Sequence, residues 1–199
     1  MMTTGLRLAA VVVMGCCAMS AQGQMGSDKP PVAVGQAMDP GKALDEVLTM
    51  FEGEAMGAAK AMPVEKYGFA PSAGAFAAGS AAKFDKVRTF AQQVAHVAQA
   101  NYYFYMTVSG MKPDVDMRAM GSLKTKEECV AALAGSFAFG HKALATVTAA
   151  NAFQSIEGVD GLHTRATVAD FAVAHGFDHY GQMVEYLRMN GIVPPASQR

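Results

Sequence analysis

Residues 167–190 read TVADFAVAHGFDHYGQMVEYLRMN. Val168, Phe171, Ala172, Met183 and Tyr186 recur at three- and four-residue steps, the period of an amphipathic helix. Thr167 with Asp170 supplies a capping pattern at the start, and Gly191 with Pro194 and Pro195 stops the helix after Asn190. On this rod His175 and His179 stand four residues apart, about 40° around the axis and one turn along it. They share the face of the apolar residues, so both imidazoles point inward and need polar partners there.

The helical period extends upstream, while strand-like alternation is nearly absent. Asp39 is an N-cap with Pro40 at the first helical position, and Leu44, Val47, Leu48, Phe51 and Ala55 form a stripe ending before Pro63. A second helix is expected over residues 83–109, with Val87, Ala91, Val94, Ala98 and Tyr105 on one face and Gly110 and Pro113 at its end. Thr125 and Glu128 make a capping box that opens a third helix, expected to reach about residue 150 and weakened locally by Gly135 and Gly140. The class is therefore all-α, a four-helix bundle without internal repeats. Residues 63–82 form a long irregular connection, a length that compact domains seldom carry without a use.

The chain has 199 residues, 51% hydrophobic and 17% charged, enough apolar matter for one core of ordinary size. Sixteen basic residues against seventeen acidic ones give a net charge of -1, which leaves no basic field for a phosphate backbone and excludes nucleic acid as a partner. Arg7, the apolar run of residues 8–14 and the small residues up to Ala21 and Gly23 have the layout of a signal peptide over residues 1–23. Residues 24–38 read as a flexible linker and 39–197 as the bundle. The apolar run is about half of what spans a bilayer, so no membrane span is expected. Val13-Met14-Gly15-Cys16 approximates a lipobox, which makes a lipid anchor at Cys16 the alternative to simple cleavage; either route exports the protein, to the periplasm or beyond.

The chemistry-bearing residues are few. H-x-x-x-H alone is a weak signal, shared with hydrogen-bonded core histidines, and Gly176 stands where a zinc protease needs its glutamate. His96 is the natural third ligand on the second helix, although its wheel angle lies far from that helix's apolar stripe, beside Gln92, Gln99 and Tyr103. His141 and His163 read as solvated, and Cys129 as packed in the third helix with no cationic cluster to activate it. Met111, Met117 and Met120 cluster between the second and third helices, a pattern that more often fills core gaps than binds copper.

QQVAHVAQANY at residues 92–102 and HGFDHYGQ at residues 175–182, with MPVEKYGF at 62–69 and YLRMNGIVPP at 186–195, occur in an order that resembles the DinB-like family over about residues 40–196. The resemblance implies a four-helix bundle of the DinB-like type holding a metal by one histidine of the second helix and the H-x-x-x-H pair of the fourth. On this chain those are His96, His175 and His179. Three neutral imidazoles suit a divalent zinc, nickel or iron ion and leave a position open, as in a catalytic site. Asp178 and Gln182 would orient the imidazoles. Tyr180 stands where many members of the family carry Arg.

The implied activity is that of a divalent-metal-dependent enzyme of thiol-transferase or hydrolase type, acting on a small-molecule substrate with or without a thiol. A non-catalytic module that binds a metal or small ligand is the alternative. A role in DNA repair conflicts with the leader and the charge balance. The oligomeric state is left open, a homodimer included. For the leader, the processed protein should begin near Gln22 or Gln24 by intact mass; a diacylglyceryl group on Cys16 would establish the lipoprotein route instead, and an unprocessed Met1 would end the leader reading.

Overall fold

Each of the four helices starts where a side chain can accept from an otherwise orphaned backbone N–H, and those caps fix the element boundaries in the computed structural model, which describes residues 32–198. The contacts divide the chain into two units, Met1–Gln36 and Ala37–Arg199. The expected leader, and most of the linker, lie outside the described residues. In the first unit a turn joins the Gln36 N–H to the Ala33 carbonyl at 3.1 Å.

The second unit is helical. Helix α1 spans Pro40–Ala61, capped by Asp39 with Pro40 in the first turn, as expected. Helix α2 spans Phe90–Ser109 and starts later than the periodicity suggests. Thr89 is extended there and forms a capping box with Gln92. The Phe90 and Ala91 N–H groups then donate to the Phe69 and Tyr67 carbonyls at 2.8 and 2.9 Å. The long connection thus satisfies the first turn of α2, and residues 83–88 stay outside the helix.

Helix α3 spans Lys126–Leu144, opened by the Thr125–Glu128 box. It ends short of residue 150 because Asn151 takes the Thr148 N–H on its side-chain oxygen at 2.8 Å, turning the chain. An antiparallel hairpin follows, β1 Ser155–Val159 and β2 Leu162–Thr164, where helices alone were expected. Its turn is Asp160-Gly161, both at positive φ, the pairing that two-residue hairpins favour. Helix α4 spans Arg165–Met189. Its cap is Thr164 with Thr167, three residues earlier than the Thr167 and Asp170 pairing expected, since β2 delivers Thr164 in extended form.

The all-α bundle is therefore present, with one small hairpin added. Helix α1 packs on α3 and α4, and α2 packs on the same two, so α1 and α2 occupy opposite corners. Leu48, Phe51 and Ala55 of α1, Val94, Ala98 and Tyr105 of α2, Leu133 and Phe137 of α3, and Val168, Met183 and Leu187 of α4 are fully enclosed. Val47, expected in the α1 stripe, is 45% exposed. Met120 is buried and Met111 and Met117 pack against the core, which accounts for that methionine cluster. No helix among the described residues is long and apolar enough to cross a membrane.

Phe51 is the hub of the α1 contacts. Its ring meets Phe137 edge-on at 5.3 Å and Phe177 at 5.0 Å, and it lies directly against Gly176. A side chain at residue 176 would overlap that ring, so the glycine between the two histidines of α4 is a packing requirement. Gly176→Ala should cost about 1–3 kcal/mol in chemical denaturation. Gly53→Ala meets nothing within 4 Å in the interior of α1. It should instead stabilise the fold by about 0.5–1 kcal/mol.

Candidate metal centre

Helix α2 contributes His96 and helix α4 contributes His175 and His179 to one cluster, in which one ligand atom of each lies within 4.8 Å of the others. The ring centroids are 5.4 Å apart for His96 and His175, 4.4 Å for His96 and His179, and 4.7 Å for His175 and His179. The Nε2 atoms of His175 and His96 approach to 3.3 Å. Two nitrogen ligands of a tetrahedral zinc-like ion, with bonds of about 2.0–2.1 Å, sit roughly 3.4 Å apart, so this spacing fits the donor set. His96, which the wheel placed off the apolar stripe, is half-buried at the edge of a polar cleft beside Gln92 and Gln99.

Burial pushes His96 down to about 4, and the charges of Arg88, His179 and His175 push the same way. His179 is also held at about 4, first by burial and then by His175 and Arg88, with Asp178 in partial opposition. His175 is lowered by burial against the opposing charges of Asp178 and Asp160. All three rings are neutral near pH 7, the state in which imidazole nitrogen is a ligand.

One ring has its tautomer set. The His179 Nδ1–H donates to the Gln93 Oε1 at 2.9 Å, which leaves Nε2 with its lone pair. The Gln93 amide then donates to the Gln182 Oε1 at 2.7 Å, and the Gln182 amide to an Asp178 carboxylate oxygen at 3.3 Å. Asp178 and Gln182, expected beside the imidazoles, thus reach His179 mainly through Gln93, a residue the sequence reading gave no role. Its signal was available: a glutamine next to Val94 and three residues before His96, and it is 1% exposed. On the other side Phe104 and Phe171 set their rings 5.6 and 6.0 Å from His175. Tyr180 faces Phe177 at 6.0 Å.

Of the remaining candidates, His163 is exposed as expected and Cys129 is buried. The Cys129 Sγ lies 3.6 Å from the Ala91 carbonyl, and burial with the nearby Glu128 pushes its thiol up to about 11. His141 is half-buried and paired rather than freely solvated. Its Nδ1 is 2.5 Å from Asp45 and its Nε2 is 3.0 Å from Glu52, both on α1. Burial opposes its charge, but the two carboxylates outweigh burial and raise its pKa.

The sequence pattern of the DinB superfamily matches residues 48–183, more than half of the chain. The chain belongs to the DinB superfamily. No curated protein matched it in sequence.

The two kinds of histidine make opposite demands on pH. His96 and His179 are neutral when folded but take up protons on unfolding below 6.5, so their contribution is present above that pH and is lost as pH falls toward 4. The contribution of His141 is full below 6.5 and fades as pH rises through its raised pKa. In the metal-free protein, NMR titration of the imidazole protons should find His96 and His179 titrating near 4 and His141 above 6.5. Coincident titration of all of them near 6.5 would contradict the packing described.

Proposed function

We propose that His96, His175 and His179 hold one divalent ion, and that the protein is an exported metal-dependent enzyme of the thiol-transferase type. The observation that carries the reading is the convergence of three neutral imidazoles, from two helices, within 4.8 Å. The donors suit zinc, nickel or iron, and three of them leave a coordination position free. A bound ion would supply Lewis acidity, lowering the pKa of a thiol or water at that position. Gln93 keeps the His179 ring in the ligating tautomer, and the Phe104 and Phe171 rings pack against His175.

The cleft beside His96 favours a thiol over water as the nucleophile. Its lining of Lys86, Arg88, Gln92, Ala95, Gln99 and Gly121 offers no carboxylate, hydroxyl or thiol to serve as general base or acid. Hydrolysis leans on such a group, whereas a thiol brings its own readily lost proton. The same lining supports a second reading, a binding module that retains a metal or small ligand without turnover. Export rests on the leader pattern of residues 1–23.

Natively purified protein should carry close to one divalent ion per chain, and His175→Ala should remove it. Gln93→Leu should keep the fold and weaken metal affinity by about 10–100-fold, because His179 loses the acceptor that orients it. Metal content unchanged in His175→Ala would overturn the proposed centre. Turnover with thiols and electrophiles, lost in His179→Ala, would establish the enzyme. A metal-loaded protein inert toward those and toward esters and amides would be the binding module.

A further inference from the structure

The cleft that opens beside His96 has a volume of about 260 Å³ and shares Gln92 and Gly121 with a second hollow of about 230 Å³, whose lining includes Lys124. Three cations, Lys86, Arg88 and Lys124, stand on these walls, and no carboxylate does. None of the three takes part in an ion pair among the described residues, where the paired groups are His141 with Asp45 and Glu52, and Arg188 with Glu185. The nearest acid of α4 to figure at the triad, Asp178, is engaged by Gln182 and is not part of the lining.

Lys86 and Arg88 are exposed and share the cleft lining with His96, and Arg88 is anchored through its backbone. The Arg88 carbonyl accepts the Tyr186 hydroxyl at 2.9 Å, which ties residue 88 to α4. Lys86 adopts φ +65, a left-handed conformation that costs a residue with a side chain about 1–2 kcal/mol and that a glycine would take freely. Such strain is found where a side chain is held for a ligand. Between them Gln92 uses its Oε1 in the α2 cap, accepting the Thr89 N–H at 2.8 Å, so its amide N–H groups remain to donate. The charge of Arg88 bears on all three imidazoles, so it also bears on whatever reaches them.

We propose that Arg88 and Lys86, with the Gln92 amide, form an anion-recognition subsite, so that the small molecule meeting the triad carries a carboxylate or phosphate. The hollows, about 260 and 230 Å³, lie just below the usual range of small-ligand sites, a size that fits a small anion. This deepens the metal-centre reading and rests on it for the purpose of the anion; the charge of the cleft does not depend on an ion.

The test is binding of inorganic phosphate, and of acetate, to the full chain at fixed ionic strength, followed by amide NMR shifts. Saturable shifts are expected at Gln92, Gln99 and Gly121. Arg88→Gln should weaken phosphate binding about tenfold, the loss expected for one charge-assisted hydrogen bond, and Arg88→Lys should recover part of it. Because Tyr186 bonds the Arg88 backbone, these variants keep that anchor, and their metal content should not change. His175→Ala should still bind phosphate, so a failed metal centre and a failed subsite give different results. Equal phosphate affinity in wild type and Arg88→Gln, or shifts confined to surface lysines away from the cleft, would overturn the proposal.

Discussion

Holding three imidazoles together without their protons is the demand around which this domain is arranged. Burial drives the protons off His96 and His179, and that burial exists only while α2 and α4 are kept side by side. Helix α1 contributes from the opposite corner, where the Phe51 ring fills the space that Gly176 leaves open and supports Phe177. On its α1 side, α4 is therefore seated by a contact with no polar atom in it. Gln93 completes the arrangement: a buried amide left unpaired would cost about 1–3 kcal/mol, and it has both its oxygen and its nitrogen bonded across the α2–α4 interface.

Histidine is handled in two opposed ways within one bundle. At the triad the ring is stripped of charge by apolar surroundings and by its own neighbours. At the α1–α3 seam His141 is drawn toward charge by Asp45 and Glu52, which it bridges. Residue type alone decides neither case. What decides is whether the facing helix offers carboxylates, as α1 does to His141, or buries the ring without them, a fact of tertiary structure.

That distinction explains how much could be read from the chain in advance. The four helices were legible because Asp39-Pro40 and Thr125 with Glu128 are local signals, and the inward turn of His175 and His179 followed from their spacing. The start of α2 was not, because the carbonyls that finish its first turn belong to Tyr67 and Phe69, about twenty residues away in the connection. The hairpin was missed for a different reason: its strands are short and only half-buried, and the one strong cue was the Asp160-Gly161 turn. His96 lay beyond periodicity altogether, since a side chain at the rim of a cleft belongs neither to the core stripe nor to open solvent. The partnership of His141 with Asp45 and Glu52 spans about ninety residues of sequence and leaves no local mark.

Cys129 carries a last consequence. Its sulfur is enclosed, hydrogen-bonded to the α2 backbone and held far from the thiolate form. Exchange with a disulfide begins with attack by an exposed thiolate, and this sulfur offers neither exposure nor charge. The bundle body is in that sense redox-silent: it can meet oxidants, or small sulfur compounds visiting the cleft, without its own cysteine being drawn into a mixed disulfide.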